Sequence, residues 1–327
     1  MAEPIYIFSD GTLKRKENTI VLETDEGKRH IPVENVAEIK IFSEVDLNKR
    51  LLEFLTEKNI IIHFFNHFGY YIGSYYPREF LNSGLVILKQ AENYLDEKKR
   101  LFLARMFVEG ALINITNTLK RYSENDKFSD KIHTIKEHVD KLIMCSNVDQ
   151  LMALEGNARE VYYNCFDEII KSDDFTFNCR TKRPPENELN ALISFGNSLL
   201  YTTVLSEIYK THLDPRIGYL HTTNDRRFTL NLDIAEIFKP IIVDRLIFTL
   251  INRKQIKPTD FHQITGGISM KDNAKKLFVQ SFEEKLKDTI QHKQLKRQVS
   301  YRSLIRMEAY KIEKHILEDE EYEPYTG

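Results

Sequence analysis

Apolar and polar positions follow two regimes along the chain, short strand-like runs broken by turn residues at the start and a helical period afterwards, and these meet at residues 77–84. Ile5-Tyr6-Ile7-Phe8 reads as a strand stopped by Asp10-Gly11, and Thr19 to Thr24 as another stopped by Glu26-Gly27. Lys28 to Pro32 and Val36 to Phe42 follow at hairpin spacing. Leu47, Leu51, Leu52, Phe54 and Leu55 then recur at helical spacing, before Ile60 to Phe65 and Tyr70 to Gly73 return to strand chemistry. Residues 1–76 are therefore expected to form a small β-rich domain with one covering helix.

Pro77 and Asn82-Ser83-Gly84 punctuate a linker over 77–84, and beyond it strand signals almost vanish. Leu101, Ala104, Met106, Val108, Leu112 and Ile115 keep helical period, as do Ile132, Ile135, Val139 and Leu142, and the pattern runs to about Leu317. The expectation for 85–327 is an all-α domain, and for the chain an α+β fold. The acidic run Glu318-Asp319-Glu320-Glu321 reads as a solvated end.

Composition narrows the class. With 42% hydrophobic and 11% aromatic residues in 327, the chain has enough apolar surface for real cores and is not disordered. No apolar run reaches the roughly 18 residues of a spanning helix, and the opening MAEPIYIFSDG has no basic segment ahead of an apolar one, so a cytoplasmic protein without a membrane segment is expected. The 3 cysteines, Cys145, Cys165 and Cys179, form no CxxC pair, which argues against a disulfide framework or a zinc knuckle. A net charge of -2 excludes a uniformly basic surface but leaves local phosphate-binding patches open.

Candidate chemistry gathers at three places. His221 lies in the Pro- and Gly-bearing segment Asp214-Pro215-Arg216-Ile217-Gly218-Tyr219-Leu220-His221, so it belongs to a loop. Downstream, Asp233 and Glu236 stand three apart on one helix face among apolar neighbours, and acids beside a buried seam need a partner. Glu155 sits on an amphipathic helix with Leu154, Ala158 and Tyr162, four positions before Arg159. From spacing alone, an i,i+4 ion pair with Arg159 is the simpler account of Glu155, and a structural role the simpler account of a lone loop histidine. One histidine with carboxylates from separate helices would suit Mg²⁺ or Mn²⁺, and the lack of a thiolate disfavours structural zinc. Basic residues supply a second class of evidence: Lys285, Lys287, Lys293, Lys296, Arg297, Arg302 and Arg306 are opposed in that stretch by Asp288 alone. Arg183 in Arg180-Thr181-Lys182-Arg183-Pro184-Pro185, and Arg226 and Arg227 between His221 and Asp233, extend the basic set. Such side chains could hold a DNA backbone, although many basic faces serve only solubility.

Taken in order, these segments resemble one family, the CRISPR-associated endonuclease and integrase of spacer acquisition, the universal CRISPR adaptation protein. Leu154-Glu155-Gly156-Asn157-Ala158-Arg159 looks like its Glu-Gly motif, and Arg183-Pro184-Pro185 with Asn190-Ala191-Leu192-Ile193-Ser194-Phe195-Gly196 looks like its central motif. Gly218-Tyr219-Leu220-His221 and the stretch from Leu232 to Arg245 match the third and fourth. Lys239 stands where many relatives carry Arg, and Asn197 where an aromatic is common. The resemblance implies that Glu155, His221 and Glu236 are metal ligands and act in catalysis, with Asp233 a neighbouring catalytic carboxylate one turn earlier; between Asp233 and Glu236 the choice of direct ligand stays open. It further implies metal-dependent phosphodiester transesterification on double-stranded DNA, protospacer and CRISPR repeat alike. A homodimer joined through the β domains follows too, with a small ferredoxin-like CRISPR adaptation partner that bridges two dimers. Against it stand a non-catalytic DNA-binding scaffold, in which Glu155 and Arg159 are merely paired, and a helical interaction protein with no affinity for DNA.

Overall fold

The computed structural model describes residues 2–78, 81, 83–172, 174–182, 184–222, 228–264, 266–292 and 295–327, with residue 125 described for its backbone alone. Two compact units divide the chain, Met1–Phe80 and Leu81–Gly327, and the division falls inside the segment 77–84.

Among the described residues of the first unit stand eight strands and one α-helix: β1 (Glu3–Ile7), β2 (Gly11–Lys16), β3 (Thr19–Thr24), β4 (Gly27–Pro32), β5 (Val36–Ile41), β6 (Val45–Leu47), α1 (Lys49–Glu57), β7 (Ile61–Phe65) and β8 (Tyr71–Tyr75). They form two four-stranded sheets, ordered β1-β5-β7-β8 and β4-β3-β2-β6. Strands β3 and β4 make the expected antiparallel hairpin, β2, not foreseen as a strand, also pairs antiparallel with β3, and β1, β5 and β7 pair in parallel. Their inward positions, Ile7, Leu13, Ile20, Leu22, Ile39, Ile41 and Ile62, share one core with Leu51, Phe54 and Leu55 of α1. Helical spacing from Leu47 misplaces the start of α1. Leu47 pairs with Leu13 as a strand, and Asn48 begins the helix by accepting the Leu51 N–H at 2.9 Å.

The second unit is predominantly helical, so the α+β expectation holds. Its helices are α2 (Gly84–Leu95), α3 (Glu97–Tyr122), α4 (Ser129–Lys141), α5 (Val148–Tyr163), α6 (Phe166–Ile169), α7 (Glu188–Ile208), α8 (Leu230–Lys239), α9 (Arg245–Asn252), α10 (Asp272–Lys287) and α11 (Tyr301–Ile316). Two short hairpins depart from the all-α expectation: β9 (Phe261–Ile264) with β10 (Gly267–Met270), and β11 (Thr289–Gln291) with β12 (Gln298–Ser300). Three- and four-residue strands are too short to register as a period. Helix α7 is apolar on nearly every side and correspondingly buried. It packs with α3 on α8, and α3 also packs on α5, so α5 and α8 are both held from the centre of the unit. Pro240 ends the regular α8 because it has no N–H for the preceding turn, and the chain continues through a short π-helix, Pro240–Asp244. Side chains of α3 meet the carbonyls there: Asn114 donates to Ile237 O at 2.9 Å and Thr118 to Pro240 O at 3.3 Å.

The acidic run 318–321 is exposed, as expected of a solvated end, but the segment after it is not. Tyr322 is buried with its hydroxyl donating to Glu308 at 2.6 Å, and Tyr325 stacks on Phe238 of α8 with centroids 5.7 Å apart. Asn114 donates a second bond to Tyr325 O at 2.9 Å, and Pro324 lies so close to Gly110 that a Cβ on the glycine would come within 2.6 Å of it. The 322–327 segment is thus a strap across α3 and α8. Among the described residues no helix is long and apolar enough to cross a membrane.

Candidate active site

Asp233 ties the start of α8 to the loop before it. Its carboxylate, fully buried near the start of α8, accepts the backbone N–H groups of Tyr219 at 2.6 Å, Leu220 at 3.0 Å and His221 at 3.0 Å. It also meets His221 Nδ1 at 2.8 Å. Gly218 makes this docking possible, since a Cβ there would lie 2.8 Å from Thr229 Oγ1 and 2.9 Å from Asp233 Oδ2. Burial alone would lower the His221 pKa, but the hydrogen bond and charge of Asp233 outweigh it and raise it. With Nδ1–H given to Asp233, the neutral ring carries its lone pair on Nε2.

Glu236, one turn further along α8, faces different partners. Lys239 donates to one of its oxygens and the Arg159 guanidinium to the other. Arg159 belongs to α5 and also donates through Nε to Glu155 at 2.7 Å. Two carboxylates from two helices therefore meet on one arginine. Burial would raise the Glu236 pKa, yet Lys239, Arg159 and His221 together hold it well below the usual carboxylate range. Behind this group, Tyr162 of α5 donates to the buried Asp244 at 3.1 Å, and burial pushes the Asp244 carboxyl up to about 6 against the charges of Arg159 and Lys239.

The two acids of α8 that share a face thus do separate work. Asp233 orients His221 and closes its loop, whereas Glu236 shares a cation with Glu155. Among the described residues no three acidic, histidine or cysteine side chains stand in metal-holding geometry. The donor chemistry nevertheless fits a hard divalent ion: Glu155 and Glu236 already enclose a positive group, and His221 is fixed in the tautomer that ligates through Nε2.

The predicted DNA-binding set is spread more widely. Arg183, Arg226, Arg227 and Lys293 lie outside the described residues. Lys296 and Arg297 are exposed in the turn joining β11 to β12, where a basic helix face was expected. Arg302 is held bidentately by Glu283, at 2.8 and 3.0 Å, and lies 3.8 Å from the buried Glu207, which also takes Arg306 at 2.6 Å. Arg180 is likewise engaged, donating to Asn190 at 2.9 Å and Ser194 at 3.0 Å at the start of α7. Spacing pointed to Arg159 only as the local partner of Glu155. Its bond to Glu236 joins residues 77 positions apart, and no sequence period carries that.

The family model described as CRISPR associated protein Cas1 matches residues 5–284. A CRISPR-associated endonuclease Cas1 2 of Thermodesulfovibrio yellowstonii is 60% identical over 327 residues, covering 100% of this chain and 99% of the relative. A Cas1 protein structure from Thermotoga maritima superposes with a TM-score of 0.90 at 52% identity, covering 99% of each chain. Two further structures share the fold at lower identity. One is a casposase bound to integration product, with TM-score 0.87, 17% identity and coverage of 99% of this chain and 93% of that one. The other is a chain of a Cas6-RT-Cas1–Cas2 complex, with TM-score 0.86, 18% identity and coverage of 99% and 36%.

Proposed function

Since this chain belongs to the Cas1 family of CRISPR-associated endonucleases, we propose that it is a divalent-metal-dependent DNA endonuclease and integrase that inserts new spacers into a CRISPR array. The observation that carries the reading is the meeting of Glu155 and Glu236 on one guanidinium, beside an imidazole oriented by Asp233. Glu155, Glu236 and His221 would hold a Mg²⁺ or Mn²⁺ ion, which would supply polarisation of the scissile phosphate and a lowered pKa for the attacking hydroxyl. Asp233 fixes the His221 tautomer and the loop position, and Lys239 keeps Glu236 ionised and so able to hold a cation. Arg159 and Lys239 add positive charge where a phosphodiester gathers negative charge in its transition state. The oxygen of a DNA 3′-hydroxyl bonds to a repeat phosphorus while the bond from that phosphorus to its own 3′ oxygen breaks, so the number of phosphodiesters is conserved. Water in place of the hydroxyl gives cleavage. Lys296 and Arg297 hold phosphates without reading bases.

The proposal includes a cytoplasmic location, a homodimer joined through the strand-rich unit and a ferredoxin-like partner bridging two dimers. Its support is the family resemblance, together with the chain of the Cas6-RT-Cas1–Cas2 complex that shares the fold. A non-catalytic DNA-binding scaffold accounts for the Glu155–Arg159 pair but gives no reason for Glu236 on the same guanidinium. Labelled duplex DNA incubated with Mn²⁺, Mg²⁺ or a chelator tests the two. We expect metal-dependent nicking and strand joining by the wild type, and duplex binding without either by Glu155→Gln and His221→Ala. Undiminished cleavage in chelator, or full activity in both variants, refutes the proposal.

A further inference from the structure

The guanidinium that joins the site's two carboxylates stands in the way of anything else that would join them. Glu155 and Glu236 are both buried, and Arg159 donates Nε to the first and a terminal nitrogen to the second. Lys239 donates to the remaining Glu236 oxygen. The formal charges of these four groups cancel, so the cluster is neutral as it stands, and two added positive charges would have no counterpart while Arg159 keeps its place. A buried carboxylate left with neither arginine nor metal would be costly, which makes the exchange of one cation for the other the low-energy route. Arg159 has the reach for such an exchange, because it is a long side chain tethered to α5 and only partly buried, unlike Asp233, whose four contacts fix it.

We infer that Arg159 is a built-in stand-in for the divalent ion: it bridges Glu155 and Glu236 in the metal-free protein and has to swing off both before the ion can take them. The inference rests on the metal-dependent reading above and adds a regulatory consequence to it. Loading is set by a competition inside the protein, so the apparent affinity for the ion is the intrinsic affinity reduced by the fraction of molecules whose carboxylates Arg159 has released. Removing the competitor should tighten ion binding while weakening the metal-free fold. An arginine that served only packing would give no such opposed pair of effects.

The experiment titrates the full-length protein with Mn²⁺ alone by calorimetry and melts it with and without the ion. For Arg159→Gln we expect Mn²⁺ to bind roughly tenfold more tightly than to the wild type, as a released fraction on the order of one tenth would give. We also expect the metal-free melting temperature to fall and the metal-bound one to recover. Arg159→Lys keeps the charge without the fork and should lie between. In the wild type itself, the Arg159 side-chain Nε–H resonance, assigned by its loss in Arg159→Lys, should shift on addition of diamagnetic Mg²⁺ as its bond to Glu155 opens. Equal or weaker Mn²⁺ binding by both variants, or an Nε–H resonance unmoved at saturating Mg²⁺, overturns the competition. A wild type that binds no Mn²⁺ overturns instead the metal-dependent reading on which it rests.

Discussion

The Asp233 carboxylate holds His221 Nδ1 at 2.8 Å and accepts three consecutive backbone N–H groups, so one buried side chain fixes both the imidazole and the loop that carries it. The two residues should therefore fail differently. His221→Ala removes a partly exposed ring and leaves the carboxylate its three backbone donors, for a cost of about 1 kcal/mol or less. Asp233→Ala strands those donors in the interior and should cost about 3 kcal/mol or more. Both should abolish cleavage, but only the second should lower the melting temperature sharply, and paired melting and nicking assays separate them.

Gly218 is tested by adding one methyl group. Its Cβ would sit 2.8 Å from Thr229 Oγ1 and 2.9 Å from Asp233 Oδ2, so Gly218→Ala has to push the loop off the carboxylate. We expect loss of cleavage and a destabilisation of about 1–3 kcal/mol, read by the same two assays.

Asp244 sets a pH dependence of stability. Its folded pKa is raised to about 6 from an ordinary 3.8, chiefly by burial, so the folded state binds the proton more tightly than the unfolded chain. Its favourable contribution is complete below about pH 4 and is lost as pH rises through about 6. Asp244→Asn stays neutral throughout and can still accept the Tyr162 hydroxyl. It should match the wild type in acid and exceed it by up to about 3 kcal/mol above pH 7. Denaturant midpoints across that range check the sign.

For DNA, the exposed turn and the buried network separate residues that charge counting grouped together. Neutralising Lys296 and Arg297 to Gln should weaken binding to unrelated duplexes alike and reduce the salt slope by about 2, with the fold untouched. Arg302→Gln takes a partner from Glu283 and from buried Glu207, and should cost about 1–3 kcal/mol of stability. Fluorescence anisotropy at several salt concentrations measures the first, and thermal melting the second.

What the sequence carried was local. The strand-like run Thr19–Thr24, stopped by Glu26-Gly27, is β3 over its full extent, and Asn187 just before Glu188 begins α7 by accepting the Asn190 N–H at 2.8 Å. The i,i+4 spacing of Glu155 and Arg159 correctly implied a pair. It could not show that the pair is half of a bridge, because the other half arrives on α8 from a distant part of the chain. Nor could shared helical facing reveal that Asp233 and Glu236 divide their tasks, since that depends on which loop and which helix close over each. The hairpin after α10 departed from the helical reading for a related reason: three-residue strands have no measurable period, and the ion pairs of Arg302 and Arg306 with Glu207 and Glu283 form only once α7, α10 and α11 have met.

The strap over α3 and α8 has a consequence in time. Asn114 bonds residues 211 and 213 positions further along, and closing a loop of that length costs on the order of 5 kcal/mol of chain entropy. We expect contacts so distant in sequence to form late, once α3 and α8 have already met, and to be absent from the folding transition state. Loosening the strap, as Tyr322→Phe does by depriving Glu308 of its hydroxyl donor, should leave the refolding rate unchanged and speed unfolding. Because Tyr325 lies on Phe238 and Asn114 also holds Ile237, the helix released first would be the one that bears Asp233 and Glu236. The 322–327 segment therefore acts as a brake on unfolding, and the working lifetime of the site, more than its architecture, is what it governs.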